Sequence, residues 1–296
     1  MTDGSRQAES ATGPAPSTGH RFLRAGILPR VAVTLVGVPC LYLITRRGGL
    51  FFLLLADLII LLGLREFYIL MKAKGYRPFE VLGYFCAMAL SWYAWQRGVV
   101  IPLILTGSLL LIMGREIFRR DMSQSLAHMA ITVFGIMYVG WLGSHLVMLR
   151  ELPASVGMDD AMGARLVFFA ALVTWATDTG AYLCGVALGR HKLIPRISPN
   201  KTVEGAVGGL VAAGLVGWLC ARGVTPFLTP VAATTVGVFA GLMAQVGDLV
   251  ESLIKRDAGI KDSAELIPGH GGVLDRFDSL LFTVPVLYYY FRFFIV

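Results

Sequence analysis

Charge is scarce in this sequence. Asp, Glu, Lys and Arg make up 15% of its 296 residues, where a soluble domain carries about a quarter. Cysteine is scarce too: Cys40, Cys86, Cys184 and Cys220 form no CxxC or other close pair, which argues against a structural zinc site or a disulfide framework. Each lies in or at the end of an apolar stretch and reads as a small buried apolar group. A signal-peptide core is also missing. Met1–His20 is rich in Ser, Thr, Gly, Ala and Pro without an apolar run, and reads as a disordered polar arm. No internal repeat is visible.

What the sequence has instead is apolar length. Hydrophobic residues make up 56% of the chain, and its mean hydropathy is +0.69. Several runs approach or exceed the ~20 residues that cross a bilayer core. The pattern predicts an all-α fold, a polytopic transmembrane helical bundle of about nine spans, at roughly 31–45, 50–65, 79–95, 99–114, 129–149, 164–188, 205–222, 227–247 and 279–296. It divides into a polar arm (1–25), N-terminal transmembrane helices (26–150) and a C-terminal transmembrane catalytic region (151–296).

The net charge of +7 does not point to nucleic acid, because the basic residues sit in short loops between apolar spans, where a cytoplasmic bias is expected. Loops 65–80, 115–128, 189–204 and 248–278 each carry three or four Lys or Arg. With nine spans and a cytoplasmic N-terminus, all four fall on the cytoplasmic side of a cell (inner) membrane. Loop 150–163, with Arg150 against Glu151, Asp159 and Asp160, falls outside. Arg46 and Arg47 run against the scheme unless they snorkel. The two most polar loops, 189–204 and 248–278, are separated by two spans and can therefore build one site on one face.

The densest polar feature starts at Gly247-Asp248 and passes through Glu251-Ser252 and Lys255-Arg256 to Lys261-Asp262. It ends in Pro268-Gly269-His270-Gly271-Gly272 and Asp275-Arg276-Phe277-Asp278. If the eighth span continues as a helix, Asp248, Ser252 and Lys255 share a stripe by i, i+4, i+7 spacing. Asp275 and Asp278 share a face at the start of the last helix, where carboxylates suit the dipole. Convergent carboxylates beside Lys and Arg suit Mg²⁺-bound phosphates: hard oxygens hold the metal and cations take the phosphate oxygens. The Gly269–Gly272 turn offers backbone N–H groups to an anion. A lone His270 would more often be incidental, but its place between Lys261 and Asp275 favours function.

A second constellation is Ser198-Pro199-Asn200-Lys201-Thr202-Val203-Glu204-Gly205. Its hydroxyls and its ammonium could receive phosphate at a helix N-terminus. Taken alone, these residues read better as a helix cap. The third feature is Asp178, inside the apolar run 166–188; an intramembrane carboxylate is a functional hypothesis by default. Asp57 reads as a helix–helix polar contact, and Arg65 and Glu66 as membrane-boundary residues.

The run from Ser252 through Ile254-Lys255-Arg256, Lys261-Asp262, Ala264, Ile267-Pro268, His270-Gly271-Gly272-Val273 and Asp275-Arg276-Phe277-Asp278 resembles the signature of the phosphatidate cytidylyltransferase (CDP-diacylglycerol synthase) family. The resemblance extends through Asp178–Tyr182 and Ser198–Gly205 and reaches back to Glu66-Phe67-Tyr68. In the second segment Asn200 stands where the family usually has Lys, and Val203 where it has Trp, so Asn200 is in doubt as a ligand.

The resemblance implies a membrane nucleotidyltransferase of phospholipid biosynthesis, converting CTP and phosphatidate to CDP-diacylglycerol and diphosphate. It implies Mg²⁺, with K⁺ as a companion cation, membrane lipids as surroundings and a homodimer. Asp248, Asp275 and Asp278 would hold metal. Lys255, Arg256, Lys261, His270 and Arg276 would be catalytic, and Ser198, Lys201, Thr202, Glu204, Ser252 and Asp178 would bind substrate. Two rival readings stand beside it: a CTP-dependent enzyme for another membrane lipid, and a secondary transporter. The absence of repeat halves weighs against the transporter.

Overall fold

Where water is absent, every backbone N–H and C=O must be paired within its own segment, so apolar stretches of this length become helices. The computed structural model describes residues 39–96, 100–259 and 272–295; the polar arm 1–25 lies outside them. The helices that build the fold are α1 (Gly49–Ala73), α2 (Glu80–Trp95), α3 (Ile101–Ile117), α4 (Ser125–Gly135), α5 (Leu142–Ser155), α6 (Ala161–Leu188), α7 (Val203–Cys220), α8 (Pro230–Asp257) and α9 (Leu274–Phe294). A six-residue π-helical segment, Ile136–Trp141, joins α4 to α5 without a break.

The all-α class holds, but nine spans is an overstatement. Among the described residues, four helices are long and apolar enough to cross a membrane: Ser125–Ser155, Ala161–Leu188, Val203–Cys220 and Pro230–Asp257. The reasons are length and charge. Helices α2 and α3 have 16 and 17 residues, short of the ~20 that a bilayer core needs. Helix α1 carries Asp57, Arg65 and Glu66, and α9 carries Asp275, Arg276, Asp278 and Arg292. Most of the expected first span, 31–45, lies outside the described residues.

Local chemistry sets the helix ends that matter for the site. Thr229 accepts a hydrogen bond from Ala232 N–H at 3.2 Å and is followed by Pro230 at the first helical position, so α8 starts there. It stops after Asp257, where Gly259 takes φ +74° and donates to the Arg256 carbonyl, a left-handed exit that favours glycine.

Between α6 and α7 runs a two-stranded hairpin that the hydropathy pattern does not predict. Strand β1 (Lys192–Ile194) pairs antiparallel with β2 (Ser198–Thr202), with Lys192 opposite Thr202 and Ile194 opposite Ser198.

The two larger of four buried clusters among the described residues frame the site. One draws on α5, α6, α7, α8 and α9, around Phe169, Val173, Ala213, Val236 and Leu287. The other draws on α1, α2, the π-helical segment and α9, around Leu64, Phe67, Tyr138, Leu274 and Leu281. Helix α9 belongs to both: its first turn packs in the second through Leu274, and its C-terminal half in the first through Val284, Leu287 and Phe291.

Contacts between loops agree with the expected grouping. Lys74 pairs with Asp257, Arg119 donates to the Arg77 carbonyl, and Arg256 donates to the Ile197 carbonyl. The four basic loops thus gather at one end. Arg150 donates to the carbonyls of Thr45 and Arg46 and pairs with Asp160, which brings 45–46 together with loop 150–163.

Candidate active site

The capping reading of the Ser198–Gly205 segment holds for Thr202. Its side chain accepts from Gly205 N–H at 3.1 Å and caps α7. Its neighbour Lys201 is left to reach across to α8, and its Nζ lies 2.6 Å from Asp248 Oδ2. Because α8 runs unbroken from Pro230 to Asp257, Asp248, Ser252 and Lys255 do share a stripe. Ser252 Oγ donates to Asp248 Oδ1 at 3.5 Å, the outer limit of such a bond. One turn on, Lys255 Nζ lies 2.7 Å from Glu251 Oε2 and also donates to Asp275 Oδ1 at the start of α9. The two polar loops are therefore one site: Lys201–Asp248 joins them, and Lys255–Asp275 ties the start of α9 to α8.

The lower wall comes from α6. Helices α6 and α7 approach so closely that side chains are excluded along the seam. A Cβ on Gly208 would stand 2.3 Å from Cys184 Sγ, and one on Gly205 would stand 2.7 Å from the Ala181 carbonyl oxygen. Small residues permitting this approach are the usual way that membrane helices pack tightly. The seam brings Asp178 beneath the hairpin. A cavity of about 510 Å³ opens there, lined by Asp178, Lys201, Thr202, Gln245 and Asp248 on its polar side and by Tyr182, Val186 and Leu193 on its apolar side. Asp178 lies about 15 Å along the axis from the end of α6, at 1.5 Å per residue.

The carboxylates crowd one another. Asp178 feels the charges of Asp248 and Lys201, and Asp278 feels those of Asp248, Asp178 and Asp275. Asp278 is buried and takes the Ser279 N–H at 2.6 Å. Acidic groups gathered at low dielectric call for cations, and Lys201 and Lys255 supply two of them.

No three His, Cys, Asp or Glu side chains among the described residues form a cage that could hold a metal ion. The donor set nonetheless fits Mg²⁺, which keeps several waters and binds through one or two carboxylates plus substrate phosphates rather than through an all-protein cage.

With this geometry in view, the comparisons decide the family. The model of the cytidylyltransferase family matches residues 28–294. This chain belongs to the cytidylyltransferase family. A phosphatidate cytidylyltransferase of Synechocystis sp. is 34% identical over 286 residues, covering 88% of this chain and 95% of the relative. A protein of the same name from Staphylococcus epidermidis is 32% identical over 267 residues, covering 90% and 97%. One from Bacillus subtilis is 43% identical over 155 residues, covering 51% and 54%.

In this family member, the predicted residues divide into four groups. Asp178, Lys201, Thr202 and Asp248 line the cavity, with Ser252, Lys255, Asp275 and Asp278 continuing from it. Ser198 belongs to the hairpin, and Glu204 to the first turn of α7. Ser198 sits opposite Ile194, and Glu204 takes the N–H groups of Arg190 and His191 and contacts His191 Nδ1 at 2.6 Å. Arg256 ties α8 to Ile197, and Arg276 is exposed on the first turn of α9. Lys261 and His270 lie outside the described residues.

Sequence reasoning missed Gln245 and Glu251. Gln245 lines the cavity and donates to the Ala206 carbonyl at 2.9 Å. Glu251 is almost fully buried beside Lys255. A signal for Glu251 existed: it stands four residues before Lys255, the spacing of a helical ion pair. Asn200, doubted as a ligand, lines the cavity as well.

Proposed function

We propose that this family member transfers the cytidylyl group of CTP to phosphatidate, giving CDP-diacylglycerol and diphosphate. The carrying observation is the 34% identity to a phosphatidate cytidylyltransferase over 286 residues, supported by a cavity whose two walls match the two ends of a phospholipid. Lys201 and Asp248 mark the polar end. Tyr182 and Val186 on α6 are 69% and 72% exposed and offer acyl chains an apolar approach from the bilayer.

In the reaction, a phosphate oxygen of phosphatidate attacks the α-phosphorus of CTP, and the bond from that phosphorus to the β-phosphate bridging oxygen breaks. Diphosphate leaves with that electron pair. A phosphomonoester has a second pKa of about 6 and is already largely dianionic at neutral pH, so no strong protein base is required. What the chain must supply is alignment and charge neutralisation as one anion approaches another. Lys201 and Lys255 are fixed donors held at opposite ends of the carboxylate row, and each can turn an ammonium proton toward a phosphate oxygen. Asp248 and Asp275, with Asp278 behind them, would hold Mg²⁺, which when bound neutralises triphosphate charge and stabilises departing diphosphate.

The proposal puts the cavity on the cytoplasmic side of the cell membrane, supported by the four basic loops gathered at its end. It includes the homodimer expected from the resemblance, checked by mass in detergent.

The deciding experiment is diphosphate release by the purified protein. Phosphatidate with CTP and Mg²⁺ should give product, and chelation should abolish it. Turnover only with a different lipid phosphate, or transport of solute into proteoliposomes without nucleotide consumption, would overturn the reading.

A further inference from the structure

Glu66 lies on α1, roughly two hundred positions before the residues it touches, and its carboxylate faces another helix rather than solvent. It is 5% exposed. Its Oε1 accepts from Val273 N–H at 2.7 Å and its Oε2 from Leu274 N–H at 2.8 Å. These two groups open α9, and that helix has no side-chain cap on its own N-cap residue, Val273. Donors in a first helical turn have no partner inside their own helix, and a carboxylate there also meets the positive end of the helix dipole. Glu66 is thus an N-cap supplied from another helix, with both oxygens committed.

The capped residues lead directly into the carboxylate row. Asp275 is the next residue after Leu274 and takes Lys255 Nζ. Asp278 is one turn further and is buried among the carboxylates of Asp248, Asp178 and Asp275. Leu274 itself packs in the same buried cluster as Leu64 and Phe67 of α1, so the helix start is gripped by polar and apolar contacts from one element.

We infer that Glu66 is a positioning residue for cytidylyl transfer. It sets the height and rotation of the first turn of α9, and so holds Asp275 and Asp278 against Lys255 and Asp248. The inference rests on the proposed reaction. It assigns to the N-terminal helices a share in building the site that the C-terminal motifs alone do not suggest.

The test uses Glu66→Gln, which keeps the shape but turns an N–H toward one of the two backbone donors, and Glu66→Asp, one methylene shorter. Without nucleotide or metal, amide exchange of Val273 and Leu274 should rise by about tenfold in both variants, with α7 and the body of α8 unchanged. In turnover, kcat should fall by about 10–100-fold, the scale of a misplacement near 1 Å, while the KM for phosphatidate stays within about twofold. Wild-type exchange with wild-type kcat would overturn the inference. So would a general loss of protection across the helices with unchanged kcat per folded molecule, which is what a purely structural role gives. If the wild-type protein itself released no diphosphate, the reaction would be wrong, and the exchange measurement would still decide whether Glu66 holds the helix start.

Discussion

Lys201 Nζ stands 2.6 Å from Asp248 Oδ2, joining the last strand of a small hairpin to the middle of a long helix. The two residues are 47 positions apart (248 − 201). Their contact puts an ammonium and a carboxylate side by side in the lining of one cavity.

Replacing Lys201 with Ala should lower kcat/KM by about 10²–10³-fold, the usual cost of removing one fixed donor to developing charge. The exchanged pair Lys201→Asp with Asp248→Lys keeps the ion pair but inverts the site, and should stay inactive. Recovery of turnover in that double variant would mean the pair is only a structural tie. Steady-state diphosphate release measures both.

Lys255 separates two carboxylates, Glu251 and Asp275, and is itself only 12% exposed. Lys255→Met should destabilise the protein by about 1–3 kcal/mol, because it leaves the buried Glu251 carboxyl without its lysine partner. Adding Glu251→Gln should recover part of the thermal stability and none of the activity. A double variant as unstable as the single one would count against this account of the cluster.

The seam between α6 and α7 has no room for a methyl group at Gly205, where a Cβ would meet the Ala181 carbonyl oxygen at 2.7 Å. Backbone cannot rotate away as a side chain can. Gly205→Ala should therefore cost about 1–3 kcal/mol, as overpacking typically does, and should raise the KM for CTP by moving Lys201. Gly223, where a Cβ would meet nothing within 4 Å, is the control, and Gly223→Ala should leave both quantities near wild type.

Arg150 is fully buried and holds the Thr45 and Arg46 carbonyls together with Asp160. Arg150→Met leaves those carbonyls without this donor, at about 1–3 kcal/mol; the Asp160 contribution is small because that carboxylate is exposed. Thermal unfolding should shift down, while kcat per folded molecule stays within about twofold, since Arg150 does not line the cavity. A selective fall in kcat would show coupling between the two ends.

Much of this protein was determined by the sequence alone. Apolar length dictated helices, since backbone groups in lipid must pair internally. The spacing of Asp248, Ser252 and Lys255 placed them on one stripe because helical period is local. The signature from Ser252 to Asp278 pointed to the family, and the basic loops were correctly grouped at one end. The span count was not determined, because α2 and α3 are as apolar as the longer helices but shorter, and boundaries depend on how ends are capped.

Other features were decided only by the tertiary structure. Glu66 reads as a boundary charge until the start of α9 is seen to lie against it. The Ser198–Gly205 segment splits its labour, with Thr202 capping, Glu204 tying the hairpin and Lys201 reaching the cavity. These assignments depend on which distant element a side chain faces. Helical periodicity says which residues share a face, and packing alone says what that face meets.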